Sequence, residues 1–209
     1  MAGTKTQVNQ ANFLLRYSLQ AFGIILLLAI FIRSFVLSSY VMSGAAMLPS
    51  IWPGDFLLAA KWGTRELKRG AVVALRCPHS HEKLCLKRVV ALPGDRLEIR
   101  AGRLVLNGQE SVERHSGPFT TEFTSGGSWA IWPDTDGKSL AAVVVPPQKV
   151  FLLNDKREDR DDSRSWGPVP EDLIESRVLG VWMSLDWFDG ERVRSWPRIR
   201  WVRLLRSID

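Results

Sequence analysis

Lys87 lies in Leu84 to Leu92, a mostly apolar run that also holds Arg88. The run reads as a β-strand, in which neighbouring side chains point to opposite faces. With Lys87 inward, it shares its face with Cys85 and Val89, and Arg88 faces solvent. A buried lysine gives up its proton readily because desolvation disfavours the ammonium, whereas arginine stays charged. A neutral lysine amine is a general base for a hydroxyl nucleophile. Two ordinary surface charges are the plain alternative. A second stretch is Ser43-Gly44-Ala45-Ala46-Met47-Leu48-Pro49-Ser50, with Trp52-Pro53-Gly54-Asp55 behind it. Small side chains and prolines let such a stretch hold extended backbone close to a ligand. A third segment, Asn154 to Pro170, carries Asp155, Arg157, Arg160, Asp162-Ser163-Arg164 and Trp166-Gly167. The histidines form no serine–histidine–aspartate arrangement.

These segments need elements to hold them. The 209 residues allow one membrane segment and one domain with a real core. Phe22 to Ile32 is unbroken apolar sequence, extended upstream by Leu14, Leu15, Tyr17, Leu19 and Ala21 and downstream by Phe35 to Leu37. Residues 13–37 therefore read as a transmembrane anchor, since about 20 residues cross a bilayer core. A cleaved secretory signal competes, but the apolar run feeds directly into the small-residue stretch. Lys5 and Arg16 precede the span and Arg33 follows it, which places residues 1–12 in the cytoplasm and residues 38–209 outside it. Beyond residue 50, short strands alternate with Gly and Pro turns: Phe56 to Trp62, Ala71 to Arg76, Leu84 to Leu92, Arg96 to Arg100, Leu104 to Leu106, Val143 to Val145, Val150 to Leu153 and Val178 to Met183. Asn107-Gly108 is a hairpin turn signal. The expected fold class is mainly β, an antiparallel barrel-like or sandwich-like domain behind one N-terminal transmembrane helix. Residues 109–142 are polar and weakly patterned, and read as an excursion from the core with a mobile point at Gly126-Gly127.

The net charge of +6 and nine tryptophans admit a nucleic acid or an anionic membrane as partner. Trp187, Phe188, Trp196 and Trp201, interleaved with Arg192, Arg194, Arg198, Arg200, Arg203 and Arg206, suit a membrane interface or a terminal strand with a solvated basic face. Nucleic acid ranks far below because of the anchor. Cys77 and Cys85 bracket His79 and His81. A disulfide, two free thiols and a metal site all fit, in that order of preference.

Together the three segments resemble bacterial type I signal peptidase. That family's nucleophile segment runs Ser-Gly-Ser-Met-x-Pro-Thr before Gly-Asp; Met47, Pro49 and Gly54-Asp55 match, and Ser50 stands for the threonine. Its lysine segment, Lys-Arg-Val-x-Gly-x-Pro-Gly-Asp, is followed by Lys87 to Asp95 except at Ala91. Its late segment, Gly-Asp-Asn-Arg-x-Asn-Ser-x-Asp-Ser-Arg-x-Trp-Gly, is matched by Asp155, Arg157, Asp162-Ser163-Arg164 and Trp166-Gly167. Arg33-Ser34-Phe35 and Ile199-Arg200-Trp201 are also similar.

The resemblance implies a membrane-bound Ser-Lys endopeptidase that removes signal peptides with small residues before the cut, at the outer face of the cytoplasmic membrane. It implies no cofactor and no metal. Its partners would be preproteins and the lipid bilayer, not nucleic acid. Lys87 would be the general base, with Asp162, Ser163 and Arg164 in support. Gly44, Ala45, Met47 and Pro49 would form the oxyanion and substrate cleft, and the N–H of residue 46 would carry more of the oxyanion load because Gly44 lacks a hydroxyl. Arg160 stands where many members have a serine that hydrogen-bonds the lysine. Ala46 occupies the nucleophile position, and a methyl group cannot attack. Either a Ser→Ala exchange was introduced, or the chain is a natural relative that binds without cleaving; the retained Lys87, Asp162 and Arg164 favour the first.

Overall fold

A computed structural model of the chain describes residues 3–63, 66–189 and 192–208. Of the residues singled out above, the side chains of Lys5, Leu14, Leu15, His81, Phe188, Arg192 and Arg194 lie outside the described residues. The chain divides into two units, Met1–Leu37 and Ser38–Asp209.

The first unit is α1 (Gly3–Phe31), continued by one π-helical turn at Ile32–Val36. Helix thus begins well inside the stretch expected to precede the anchor. Arg16–Val36 is long and apolar enough to cross a membrane by length and composition. Its Leu19, Phe22, Ile24, Ile25 and Leu27 are exposed.

The second unit is antiparallel β structure. Its strands begin with β1 (Leu37–Val41), β2 (Asp55–Ala60), β3 (Val72–Cys77) and β4 (Ser80–Ala91). There follow β5 (Arg96–Arg100), β6 (Arg103–Leu106), β7 (Gln109–Glu110), β8 (Val112–Ser116), β9 (Phe119–Thr124) and β10 (Gly127–Ile131). Next come β11 (Leu140–Val144), β12 (Lys149–Leu153), the one-turn α2 (Ser163–Trp166) and β13 (Val169–Pro170). The chain closes with β14 (Ile174–Asp189), β15 (Arg192–Ile199) and β16 (Arg206–Ser207). Among the described residues the main sheet runs β1-β2-β14-β3-β4-β12-β13, with β15 and β16 also paired to β14. Smaller sheets run β11-β5-β6-β7 and β10-β9-β8.

β3 over residues 72–75 and β12 over residues 150–153 are buried on both faces, as these apolar runs require. Alternation sends Val73, Val89, Val150 and Leu152 to one core and Val90, Phe151 and Leu153 to another, shared with Leu97, Leu104, Trp129 and Ile131. Cys77 and Cys85 are disulfide-bonded across β3 and β4, with Cα atoms 5.4 Å apart, so their sulfurs are not free ligands.

Residues 109–142 are not a loose excursion. They hold the β8–β10 sheet and deliver Trp129 and Ile131 to the core. The polar pattern hid this because β9 turns Thr120 and Glu122 inward and leaves Phe119 and Phe123 half-buried. Burying Glu122 is tolerable because Arg157 pairs with it at 2.6 Å and Trp129 Nε1 donates to it at 2.9 Å. Ser125 and Gly126 form the β9–β10 turn, held by the Thr124 hydroxyl, which accepts from the Gly126 N–H at 3.2 Å and donates to the carbonyl of Gly127, the first residue of β10, at 3.1 Å.

Candidate active site

The Ser43 to Ser50 stretch crosses the end of the main sheet, pinned from below. Met47 and Ile51 are fully buried and pack with Leu57, Val72 and Val178. The Ile51 N–H bonds the Met47 carbonyl at 2.9 Å, the Leu48–Pro49 bond is cis, and Trp52 Nε1 donates to the Pro49 carbonyl at 2.9 Å. At Gly54, φ is +87° and a Cβ would lie 2.0 Å from the Leu185 carbonyl oxygen, so only glycine fits. Met47 and Pro49, read from sequence as cleft residues, turn inward and support the stretch from beneath. Ser43, Gly44 and Ala45 are exposed and Ala46 is half-buried.

A cavity of about 430 Å³ brings Ser43, Gly44 and Ala46 together with Lys87. Its walls are Tyr40 to Met42 on one side and Leu84 to Leu86 on the other, with Asp159 and Asp161 at the end. Ala45 does not line it. Both walls are strand edges. β1 lies at the margin of the main sheet, and β4 pairs with β12 only from Arg88 onward, so among the described residues the Leu84 to Lys87 edge opposite β3 has no neighbouring strand. Free edges of this kind accept an extended peptide as an added strand.

Lys87 is 3% exposed. Its face carries Cys85 and Val89, as alternation requires, and its Nζ lies 5.1 Å from the centre of the Trp166 ring. Nζ donates to Asn154 Oδ1 at 2.7 Å. Burial lowers the Lys87 pKa from its ordinary 10.5. Asp161, Asp162 and Asp159 oppose that shift and Arg164 adds to it.

Arg88 does not face solvent. It is 2% exposed, because the β8–β10 layer closes over that face and lays Trp129 against it, with the guanidinium 5.7 Å from the ring centre. Arg88 grips Asp155 through two bonds of 2.7 Å, donates to the Gly70 carbonyl at 2.6 Å, and reaches Ser50 Oγ at 3.0 Å. It thus ties the late segment to the end of the small-residue stretch.

Asp162, Ser163 and Arg164 stand behind the lysine. Asp162 caps α2 by accepting the Arg164 N–H at 3.0 Å, and its other oxygen accepts the Asn154 N–H at 3.0 Å. Arg164 pairs with Asp162 at 2.7 Å and donates to the carbonyls of Arg157 and Asp159, both at 2.6 Å. Ser163 Oγ accepts the Leu152 N–H at 3.0 Å. All three hold the shape of the loop that supplies Asn154. The same loop reaches forward too, where the Lys156 N–H donates to the Ala46 carbonyl at 2.9 Å. Arg160 turns away and pairs with Asp134 at 2.7 Å, whose carboxyl sits below its ordinary range: burial pushes it up, and the hydrogen bonds from Arg160 and the Asp136 N–H, with the charges of Arg160 and Arg164, together outweigh this.

Three contributors went unread in the sequence. Asn154 is the lysine's partner. Arg203 donates to Asp55 at 2.5 and 3.1 Å and to the Ser50 carbonyl at 2.9 Å, so this arginine of the basic C-terminus is buried scaffolding. Arg200 donates to the Pro53 carbonyl at 2.8 Å, and both guanidiniums flank the Trp52 ring. Their pairing with Asp55 and Trp52 leaves no periodic trace; only the recurrence of arginine beside tryptophan hints at it.

The structure is thus an antiparallel β domain with a buried lysine lining a cleft between two strand edges, and comparison with known proteins gives its family. The family model described as signal peptidase, peptidase S26, matches residues 15–183. A signal peptidase I from Pseudomonas fluorescens is 27% identical over 218 residues, covering 85% of this chain and 75% of the relative. One from Bacillus caldolyticus is 30% identical over 153 residues, covering 70% and 80%. A solved signal peptidase I from Enterococcus faecalis V583 aligns at 26% identity over 54% of this chain and 96% of that one, with a TM-score of 0.37. The chain belongs to the signal peptidase family, peptidase S26.

Proposed function

We propose that this chain is a membrane-anchored signal peptidase of the Ser-Lys type whose nucleophile position holds Ala46. One observation carries the reading: Lys87, buried and partnered by an uncharged amide, lines the same cavity as Ala46. A serine at 46 would attack the scissile carbonyl, Lys87 would take its proton and return it to the leaving amine, and water would then release the acyl-enzyme. The substrate is the end of a signal peptide, extended between the free edges of β1 and β4. Small residues before the cut suit a strand held that close to enzyme backbone. Exposed Gly44 and Ala45 leave room for it, and the N–H of residue 46 is the candidate oxyanion donor.

The partner membrane is supported at two places. Arg16–Val36 has the length and composition of a span. In the β domain, Trp196, Trp201, Val202 and Leu205 are at least 70% exposed beside arginines, a composition suited to the lipid interface. The Cys77–Cys85 disulfide suits an oxidising compartment, hence a cytoplasmic N-terminus and a β domain outside.

A second reading is favoured by Ala46 itself: a module that captures signal peptides without cutting them. One experiment separates the two. Ala46→Ser protein in liposomes is expected to cleave a preprotein at its signal junction, and Lys87→Met in that background to abolish cleavage. An Ala46→Ser protein that binds the preprotein without cutting it sinks the peptidase reading and leaves the capture module.

A further inference from the structure

Asn154 follows β12 and is completely buried. Its backbone N–H and both polar atoms of its side chain are committed. The backbone N–H donates to Asp162 Oδ2 at 3.0 Å. The side-chain Nδ2 donates to the carbonyls of Asp159 at 3.1 Å and Asp161 at 3.5 Å. Oδ1 accepts from Lys87 Nζ at 2.7 Å. The two carbonyls settle which way the amide points. Turned over, its oxygen would meet two carbonyl oxygens and its NH₂ would meet an amine.

The residue type at this place has consequences. A carboxylate of the same shape would set a full negative charge against a buried Nζ, where attraction is strong, and would fix the lysine as an ammonium. An aliphatic side chain would take the acceptor from Nζ and the Asn154 donor from the Asp161 carbonyl, while the Asp159 carbonyl would keep the donor it has in Arg164. The amide avoids both. The charged groups facing Lys87 are Asp159, Asp161, Asp162 and Arg164, all on the same loop, while β3 places Val73 opposite it on the other side. Asp162 is already engaged by Arg164 and by the Asn154 N–H.

We infer that Asn154 is the positioning residue for Lys87: its amide oxygen fixes the amine at the cavity shared with Ala46, and its lack of charge leaves that amine free to act as a base. This rests on the general-base role proposed for Lys87 above. The test therefore has one arm that needs no cleavage. In the full chain with Ala46 retained, the Lys87 amine is titrated by NMR in detergent, its signal assigned by its loss in Lys87→Met. Asn154→Asp is expected to raise the midpoint by about one pH unit or more, and Asn154→Ala to leave it or lower it. In the Ala46→Ser background, Asn154→Asp is expected to move the acid limb of the kcat/KM profile upward in step. There Asn154→Ala is expected to lower kcat by about tenfold or more with KM nearly unchanged. Equal midpoints in Asn154→Asp and the parent overturn the assignment. Should Asn154→Asp not fold, Asn154→Ala decides alone: a raised midpoint, or a kcat equal to the parent's, overturns it. An inactive Ala46→Ser protein sinks the peptidase reading, while the titration still judges Asn154.

Discussion

Lys87 and Arg88 are neighbours on β4, both at least 97% buried, in opposite surroundings. Arg88 holds a bidentate carboxylate, a carbonyl and a hydroxyl, and lies over an indole ring. Lys87 has one neutral amide and an indole. Strand alternation sends one cation to each face, and each face selects a different chemistry. Arginine stays charged in any protein interior, so its face must supply a countercharge. Lysine can discharge, so its face can withhold one. The first arrangement is structural and the second is suited to moving a proton.

The sharpest way to break this contrast is to give both positions the same side chain. Arg88→Met leaves Asp155 buried and unpaired, and is expected to cost about 3–5 kcal/mol of stability. Lys87→Met removes a buried amine that no carboxylate touches, and is expected to be neutral or stabilising by about 1–2 kcal/mol. Denaturant unfolding of the two full-length variants in detergent measures both. Similar losses would mean that Lys87 is a structural cation like its neighbour.

The contrast also has a signature in pH. The folded Lys87 pKa lies below its ordinary 10.5, so between those two values the unfolded chain binds the extra proton. Stability then rises with pH across that window, and the destabilisation that the lysine brings at lower pH is relieved. The advantage of Lys87→Met over the parent is therefore expected to shrink as pH climbs toward 10.5. Arginine is a permanent cation, so the parent and Arg88→Met are expected to differ by a constant amount across that window. Unfolding curves at a series of pH values read both slopes.

The same contrast explains what could be read from the sequence. Lys87 with Cys85 and Val89 on its face was legible because alternation is local to one strand. So were the apolar helix and most strands, which announce themselves by composition and turn residues. The solvent-facing Arg88 expected from that alternation was wrong, because a second face is open only if nothing covers it. The cover, Trp129 on β10, comes from a stretch whose inward positions are Thr120 and Glu122 rather than apolar residues. Those positions make sense only with Arg157, 35 residues beyond Glu122. Asp55 likewise needs Arg203, 148 residues on, and Arg88 needs Asp155, 67 residues on. Buried ion pairs carry no period, so partners that far apart leave no pattern to find. Asn154 was missed for another reason: a buried amide and a loop amide look alike until the donor that its oxygen meets, Lys87 Nζ, is in view.

The smallest expected effect tests whether a third cation belongs with either neighbour. Arg160 lies only six residues after Asn154, yet it reaches Asp134 instead of Lys87 and is partly exposed, with 28% of its side chain accessible. Such a pair contributes about 1 kcal/mol or less, since water screens it. Its guanidinium is held by Asp134, and the largest influences on Lys87 come from burial, Asp161, Asp162, Asp159 and Arg164. Arg160→Gln is therefore expected to cost about 0.5–1 kcal/mol of stability and to leave the Lys87 NMR midpoint unmoved. A midpoint that rises in Arg160→Gln would show that this cation helps to discharge the lysine. The separation between a charge-holding face and a proton-moving face would then extend beyond β4 into the loop that carries Asn154.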